Sequence, residues 1–383
     1  MIKVFIFHNL LWSKYKGGVF SAIQTNIRPD IKFYFIHIAE TDNERAPLSS
    51  IDISYHKYIY EILFRSSYEN IPKKSLIYST TSAILKSKAD LILLPGYHQI
   101  EYWSMLLVCI ILGKKRAVFC DSTIHDRPRH WLKSIAKRIF FSLCDGYFGY
   151  GERSREYLLS HGAKPERIFH RCQAAALPHD YTPVRARAER LLNAILAPRP
   201  RYLYVGRLSP EKGLDTLLTA FKTVLGTYPK AELVLVGSGP LRTELGNMVD
   251  QLGISANVSF TGGLPIETIV NEYAKATCLI LPSRSEPWGL VVNEALSYGC
   301  PVVVSHVCGC VPELVIDGVT GFSYRNDEPE QLANCMLKLT AEFNDVAAVA
   351  DRCMNLIANF SPEHAAQQIL YGCREILHVP HPA

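Results

Sequence analysis

The sequence predicts an α/β protein built from two doubly wound domains, each a mainly parallel sheet covered by helices. Short apolar runs that are typical of buried strands alternate with helix-forming segments along most of the 383 residues. This length exceeds that of one ordinary domain. Residues 277–305 also contain a complete strand–helix–strand unit, in which two apolar runs flank a helix that starts near Gly289 and ends at Gly299.

The apolar runs place the predicted strands in both halves of the chain. In the first half they are residues 2–7, 32–38, 91–94, 116–120 and 146–150, and in the second half 202–205, 232–236, 258–261, 277–281 and 301–304. Helices are predicted at 19–26, 214–225 and 361–377. Residues 39–75 are rich in Tyr and Lys and predict no definite element. Two prolines close together, Pro198 and Pro200, indicate a linker and place a domain boundary at residue 197.

Composition narrows the class of protein. Hydrophobic residues make up 48% and charged residues 20% of the chain, which is typical of a globular protein. We expect no membrane span, because no run of about 18 apolar residues occurs, and no secretory signal at the start of the sequence. The 11 cysteines are scattered without the spacing of a metal site, which favours buried thiols in a reducing cytoplasm.

The charge is divided unevenly between the halves. Residues 1–195 carry 28 Lys and Arg against 17 Asp and Glu, a net charge of +11, whereas residues 196–383 carry −6. The basic half therefore suggests an anionic partner, which is a membrane surface, a lipid-linked phosphate or, ranked last because no recognition motif occurs, nucleic acid. A predicted helix after residue 130 mixes bulky apolar groups with Lys133, Lys137 and Arg138. It is either a sheet-packing helix with a solvated basic face or a segment that docks on an anionic bilayer.

The strand–helix–strand unit contains two carboxylates. Glu286 precedes the helix and Glu294 lies inside it, while Gly289, Leu290 and Val291 offer unpaired backbone N–H groups at the helix start. Such groups and the helix dipole favour a phosphate. A nucleotide sugar has the matching layout of hexose, diphosphate and ribose, so Glu286 is predicted to hold the hexose and Glu294 the ribose hydroxyls.

The strings SEPWGLVVNEALSYGCPVVVS and VGRLSPEKG resemble the signature of the retaining glycosyltransferases of family 4, within the glycosyl transferases group 1. The resemblance is strong over residues 200–325 and weak in the first half. It implies the glycosyltransferase B fold, with two Rossmann-like domains facing a central cleft. It further implies an acceptor-binding domain at 1–197, a donor-binding domain at 198–360 and a C-terminal helix, 361–383, that crosses back to the first domain.

Further donor contacts follow from the positions of strand ends. Arg207 and Lys212 leave a strand end, where two cations clamp a diphosphate and stabilise its growing charge; the alternative is two solvated basic residues. Gly237 and Gly239 follow a strand and precede a helix, which fits a close approach by the nucleotide. The family likeness places the nucleobase at the turn that contains Leu264.

In the first half the candidate residues are less specific. Gly17 and Gly18 are interpreted either as an ordinary strand-to-helix turn or as a loop that lets the backbone approach a diphosphate. Many family members carry a His near the strand end that meets the acceptor hydroxyl. Here that position holds Asp121, and His125 is the nearest histidine, so each is a candidate acceptor contact or a simple cap or ion-pair partner.

Together these residues predict a retaining glycosyltransferase that moves a hexose from a nucleotide diphosphate sugar to an acceptor hydroxyl. A UDP-sugar is favoured and a GDP-sugar is the alternative, and the acceptor is a glycan or lipid-linked glycan of cell-surface polysaccharide synthesis. No metal or other cofactor is expected, because no two Asp are separated by one residue. The expected location is the cytoplasm or the cytoplasmic face of the membrane. The rival hypotheses are a nucleotide-sugar epimerase of the same fold and a non-catalytic scaffold for another glycosyltransferase.

Overall fold

The computed structural model of the chain describes residues 1–26, 29–46, 51–125, 131–196 and 200–380. The chain forms two compact units. The first contains most of residues 1–176 together with the segment that begins at Ser361, and the second contains Leu177–Phe360.

In the described residues each unit is built on one parallel sheet. The first sheet has seven strands in the order β3-β2-β1-β4-β5-β6-β7, and the second has six in the order β10-β9-β8-β11-β12-β13. The strands are β1 (Ile2–Leu10), β2 (Ile31–Thr41), β3 (Tyr60–Ser67), β4 (Leu91–Leu94), β5 (Lys115–Cys120), β6 (Gly146–Gly149), β7 (Ile168–Phe169), β8 (Arg201–Val205), β9 (Glu232–Val236), β10 (Val258–Gly262), β11 (Cys278–Leu281), β12 (Val302–Ser305) and β13 (Gly321–Tyr324).

Helices connect the strands, as parallel pairing requires. They are α1 (Lys14–Thr25), α2 (Lys73–Lys86), α3 (Ile100–Ile111), α4 (Trp131–Ser142), α5 (Glu152–Ser160), α6 (Pro183–Leu196), α7 (Leu214–Thr227), α8 (Arg242–Leu252), α9 (Ile266–Lys275), α10 (Leu290–Ser297), α11 (Val311–Leu314), α12 (Pro329–Glu342), α13 (Val346–Ile357) and α14 (Pro362–Leu377). The central strands β4, β6, β11 and β12 are buried at every position, which is typical of parallel sheets covered on both faces.

The unit boundary lies about 20 residues before the predicted position. Helix α6 packs against α9 and α13 and so belongs to the second unit. Arg187 forms a two-pronged ion pair with Asp351 at 2.6 and 2.9 Å, and the buried guanidinium of Arg190 donates to the carbonyl oxygens of Tyr273 and Thr277 at 3.2 and 3.3 Å. The prediction failed because these partners lie far away in sequence. Residues 197–199 of the predicted linker lie outside the described residues.

Two further elements differ from the prediction. Helix α1 begins at Lys14 rather than at residue 19, so Gly17 and Gly18 lie inside the helix and not in a loop before it. A Cβ on Gly17 would lie 2.9 Å from the ring of His56, so this glycine permits close packing. Strand β3 was not predicted, because it is an edge strand without a buried face.

Both sheets reverse their strand order at one place. In each sheet the second and third strands are added on one side of the first strand, and the later strands are added on its other side. The strand order therefore reverses between β1 and β4 in the first unit and between β8 and β11 in the second. In doubly wound sheets ligands bind beyond the carboxyl ends of the strands at this point. The loops that follow these four strands are therefore the places where each unit presents functional side chains.

Candidate functional site

The loops after β8 and β11 bring two predicted site residues into direct contact. Lys212 ends a short helical turn after β8, and Glu286 lies in the loop between β11 and α10. The Lys212 ammonium lies 2.6 Å from Oε2 of Glu286, and the two side chains are only 14% and 16% exposed. The hydroxyl of Ser283 lies 3.5 Å from the same oxygen. The sequence predicts that Lys212 contacts the diphosphate and Glu286 the hexose of a donor. In the structure the two side chains form an ion pair with each other at the point where the strand order reverses.

Arg284, which sequence reasoning missed, holds these two loops together. Its guanidinium contacts Asp327 and Asp215 at 2.7 Å each and donates to the carbonyl oxygen of Pro210 at 3.0 Å. Its backbone N–H donates to the carbonyl oxygen of Glu211 at 2.8 Å. These contacts fix the turn that carries Lys212 against the loop that carries Glu286. The only signal in the sequence is its position two residues before Glu286.

Arg207 lies at the surface of the same region. Its guanidinium lies 3.0 Å from Oε1 of Glu211, and the Ser209 hydroxyl donates to that oxygen at 2.6 Å. Burial alone would raise the pKa of Glu211, but the hydrogen bond from Ser209 and the charges of Arg207 and Lys212 hold this pKa below its usual value. Since the Arg207 side chain is 48% exposed, its cation is available to an anionic ligand.

The N-terminus of α10 adjoins this ion pair in sequence and requires a glycine. Gly289 caps the helix with a φ of +100°, a left-handed conformation, and a Cβ there would lie 2.8 Å from Leu281. The N–H groups of Leu290 and Val291 lie at the positive end of the helix dipole. The first turn contains no acidic residue that would compensate this partial positive charge. This arrangement suits an anion.

A second loop supports Glu286 from behind. The N–H of Gly309 donates to the carbonyl oxygen of Glu286 at 2.9 Å, and the N–H of Cys310 donates to that of Trp288 at 3.1 Å. A Cβ on Gly309 would lie 1.8 Å from the carbonyl oxygen of Pro287. Only glycine fits this contact, so Gly309 contributes to the placement of Glu286 although it touches no ligand position itself.

Glu294 lies farther along α10 and has a partner that sequence reasoning missed. The phenol of Tyr273, which is fully buried, donates to Oε2 of Glu294 at 2.7 Å. Burial raises the pKa of Glu294 from 4.5 to about 7, and the Tyr273 hydrogen bond opposes this shift. Tyr298 stacks on Tyr273 at 6.2 Å. The carboxyl group is therefore oriented by an aromatic support and titrates near neutral pH.

Close backbone packing also explains why glycine occurs at two positions after β9, besides the predicted approach of a nucleotide. A Cβ on Gly237 would lie 1.8 Å from the carbonyl oxygen of Gly206, and one on Gly239 would lie 2.4 Å from that of Leu208. Both glycines thus allow the loop after β9 to pack directly on the loop after β8. Their contact with a nucleotide stays a prediction, as does that of Leu264, which is partly buried in the turn between β10 and α9.

The candidate residues from the first half of the sequence are dispersed. Gly17 and Gly18 lie within α1, which corrects the predicted loop. Asp121 follows β5, is exposed, and lines a cavity of about 280 Å³ at the reversal point between β1 and β4. His125 lies exposed in the turn after β5, is grouped with the second unit, and does not occur among the described residues that line this cavity. The acceptor roles of Asp121 and His125 stay predictions.

The second Rossmann-like unit thus carries cations, a helix N-terminus and two glutamates at its strand reversal, which is where doubly wound sheets bind ligands. Residues 192–349 match the family profile described as Glycosyl transferases group 1. The predicted resemblance to the glycosyl transferases group 1 is thereby confirmed over these residues, while the assignment to the retaining enzymes of family 4 stays a prediction.

Curated relatives share part of their length with this chain. A D-inositol 3-phosphate glycosyltransferase of Rhodococcus jostii is 32% identical over 231 residues, which are 58% of this chain and 50% of the relative. A GDP-mannose-dependent alpha-(1-6)-phosphatidylinositol monomannoside mannosyltransferase of Mycolicibacterium smegmatis is 32% identical over 161 residues, 40% of this chain and 42% of the relative. The chain thus spans about half the length of these relatives.

Solved structures resemble the chain over nearly its whole length. The Anabaena protein HepE in complex with UDP-glucose superposes with a TM-score of 0.71 at 18% identity, covering 98% of this chain and all of that one. Sucrose-phosphate synthase of Thermosynechococcus elongatus gives 0.71 at 19% identity, over 99% of this chain and all of that one. These likenesses confirm the predicted fold class of two Rossmann-like units of the glycosyltransferase B type.

Proposed function

We propose that this protein is a retaining, metal-independent glycosyltransferase that moves a hexose from a nucleotide diphosphate sugar to an acceptor hydroxyl. The observation that carries the proposal is the partly buried Lys212–Glu286 ion pair at the strand reversal, one short loop before the N-terminus of α10. A cation, a helix end and two carboxylates suit the phosphate and hydroxyl groups of one donor.

The donor contacts follow from the charges of these groups. The diphosphate would bind the N–H groups of Leu290 and Val291 and draw the Lys212 ammonium from Glu286 by its greater negative charge. Glu286 would then accept hydrogen bonds from the hexose hydroxyls, and Glu294 from the ribose hydroxyls. Arg207 would add a second cation as charge grows on the leaving group.

The proposed reaction exchanges one bond for another at the anomeric carbon. The bond from this carbon to the β-phosphate oxygen breaks, and a bond to the acceptor oxygen forms on the same face of the sugar. The acceptor proton passes to the departing phosphate oxygen, and a nucleoside diphosphate is released. In this scheme Glu286 positions the sugar and does not attack it.

The names of similar proteins support the choice of donor and acceptor. HepE was crystallised with UDP-glucose, which favours a UDP-sugar, and one relative uses GDP-mannose, which keeps a GDP-sugar as the alternative. Two relatives are named for acceptors that carry phosphate, an inositol phosphate and a phosphatidylinositol derivative. We therefore propose a glycan or lipid-linked acceptor of cell-surface polysaccharide synthesis.

The function is tested by incubating the protein with UDP-glucose, UDP-galactose and GDP-mannose and a membrane glycan extract, and measuring release of nucleoside diphosphate and the anomeric configuration of the product. We expect one donor to react, with retention and without loss of rate in EDTA, and Glu286→Gln to abolish transfer. A changed sugar in the absence of acceptor would instead establish an epimerase. Failure to bind any donor would leave the scaffold hypothesis.

Helix α4 supports the proposal that the protein docks on an anionic membrane surface. Trp131, Ile135 and Ile139 follow one another at four-residue spacing and are 67%, 48% and 49% exposed, while Lys133 and Arg138 are also exposed. An exposed apolar face beside cations is typical of a helix that lies in a bilayer surface. No helix within the described ranges combines the length and apolar character needed to cross a membrane.

The membrane proposal is tested by sedimentation with vesicles of phosphatidylcholine alone or mixed with phosphatidylglycerol, whose negative charge attracts basic segments. We expect binding to the anionic vesicles only, and loss of it in a Trp131→Ser, Ile135→Ser double variant. Val184→Ser, at an 80% exposed apolar residue of α6, is the control and should bind normally. Equal binding by the double variant would contradict a role for α4.

A further inference from the structure

The cavity of the first unit lies where a doubly wound sheet binds ligands, yet no residue of the proposed donor site lines it. It opens at the carboxyl end of β1 and measures about 280 Å³. Its lining includes Asn9 from β1, Ser13 and Lys16 from the start of α1, and His98 from the segment after β4. It therefore occupies the strand reversal between β1 and β4.

Lys16 is the unusual member of this lining. Its side chain is almost completely buried, since the residue is only 2% exposed. Its ammonium lies 4.9 Å from the centre of the Phe119 ring and 4.8 Å from that of Tyr150, and both rings line the same cavity. Within the described residues this ammonium has no hydrogen-bond partner. A buried ammonium that contacts ring faces but has no hydrogen-bond partner lacks the acceptors that normally offset the loss of water.

The other charged groups of the cavity do not supply these acceptors. Arg45 forms an ion pair with Asp42, and Glu69 accepts a hydrogen bond from the backbone N–H of Asn43 at 3.0 Å. Asp121 contributes a favourable electrostatic interaction with Lys16 but is exposed at the cavity edge. We therefore expect a ligand to supply the oxygen acceptors that the Lys16 ammonium lacks.

The start of α1 adds a second feature that favours negative charge. Its N-cap residue, Ser13, lines the cavity but forms no side-chain capping bond, and the first turn contains no acidic residue. The first-turn N–H groups of this 12-residue helix thus keep their partial positive charge beside Lys16.

We propose that this cavity binds a phosphate monoester of the acceptor, with its oxygen atoms on the Lys16 ammonium and the first-turn N–H groups of α1. The inference rests on the proposed function and adds the chemical class of the acceptor. Burial lowers the pKa of Lys16 to about 8, so the side chain is still largely charged at neutral pH. A dianionic phosphate supplies several acceptors to one ammonium and one helix end at the same time.

The diphosphate of the donor is the other possible source of phosphate oxygens, so the experiment has two arms. Inorganic phosphate and glycerol 3-phosphate are titrated calorimetrically at constant ionic strength into the full chain, and UDP is titrated separately. The variants are Lys16→Met and Lys14→Met. Lys14 lies in the same helical turn but its ammonium lies 3.3 Å from Asp52, so its replacement is the matched control for charge.

We expect Lys16→Met to weaken binding of both phosphate probes at least tenfold, Lys14→Met to change it less than twofold, and UDP affinity to stay within twofold in both variants. The melting temperature of Lys16→Met should not fall, because Met fills the same space without a buried charge. A lower melting temperature with unchanged phosphate affinity would show a purely structural lysine and overturn the proposal.

Two other results also decide the matter. The proposal fails if the unmodified protein shows no saturable phosphate binding, or if Lys16→Met weakens UDP as much as phosphate and the two compete, because the ammonium would then serve the donor. Phosphate binding that depends on Lys16 in a protein that does not bind UDP-glucose would support the oxyanion site and remove only the proposed donor.

Discussion

The two units share one sheet topology but differ in how their charged groups are satisfied at the strand reversal. In the second unit Lys212 contacts Glu286, Arg207 contacts Glu211, and Glu294 accepts from Tyr273. In the first unit the corresponding place holds Lys16, whose ammonium has ring faces but no hydrogen-bond partner among the described residues.

Because of this difference, a ligand at the strand reversal would be bound in a different way in each unit. In the second unit a ligand must exchange with existing ion pairs, and the loops are held by glycines that tolerate no side chain, such as Gly237 and Gly309. In the first unit a ligand supplies hydrogen-bond acceptors to the Lys16 ammonium, which has none among the described residues. The family match covers residues 192–349, and so includes Lys212 and Glu286 of the second unit but not Lys16 of the first.

The largest effect is expected from breaking the ion pair of the second unit. Lys212→Met removes a cation that we place on the leaving diphosphate, and removal of one such group lowers turnover by about 10²–10³-fold. Steady-state kinetics should show this loss mainly in kcat. Lys222→Met, at an exposed position of α7, is the control and should leave kcat unchanged. A loss confined to donor affinity would show that Lys212 binds the ground state only.

An intermediate effect is expected from disturbing the loop that supports Glu286. Gly309→Ala forces a Cβ against the carbonyl oxygen of Pro287 and should lower the free energy of unfolding by about 1–3 kcal/mol, measured by urea unfolding. Gly226→Ala is the matched control, because this glycine lies inside α7 with no atom within 4 Å of a new Cβ. It should stabilise the protein by about 0.5–1 kcal/mol. Equal stability of the two variants would contradict the close packing.

A smaller, pH-dependent effect is expected at Glu294. Because burial raises its pKa from 4.5 to about 7, the stability that the neutral carboxyl contributes is complete below pH 4.5 and is lost as the pH rises through 7. Glu294→Gln should therefore gain stability relative to the unmodified protein between pH 5 and pH 8.

Tyr273→Phe tests the partner of that carboxyl. Loss of the phenol removes the hydrogen bond that favours the charged form, so the pKa of Glu294 should rise further. We expect the free energy of unfolding to fall by about 1 kcal/mol at pH 8 and less at pH 5. A loss of equal size at both values of pH would show that Tyr273 contributes packing alone.

Local patterns in the sequence predicted the fold well where strands are buried on both faces. β11 and β12 are continuous apolar runs and were placed within one residue of their observed limits. β3 was missed because an edge strand has no such run, and the start of α1 was missed because two glycines suggested a turn. The unit boundary depends on contacts of α6 with residues far along the chain, which no local pattern contains.

The same limit applies to the candidate site. Lys212, Glu286 and Gly289 were selected because they follow strands or begin a helix, and strand ends meet at one edge of a parallel sheet. Glu294 was selected because it lies in the same helix beyond the predicted phosphate-binding turn. Their partners could not be selected. The contact of Lys212 with Glu286 and that of Tyr273 with Glu294 join residues 74 and 21 positions apart, and only the order of strands and helices brings them together. Lys16 was not selected because its burial is invisible in the sequence.

The most direct measurement is a crystal structure of the protein with UDP-glucose bound. The account predicts phosphate oxygens within hydrogen-bond distance of the Lys212 ammonium and the N–H groups of Leu290 and Val291. It also predicts Glu286 at the hexose and Glu294 at the ribose. A diphosphate bound elsewhere in the second unit, with the Lys212–Glu286 contact unchanged and both glutamates turned away from the donor, would contradict it.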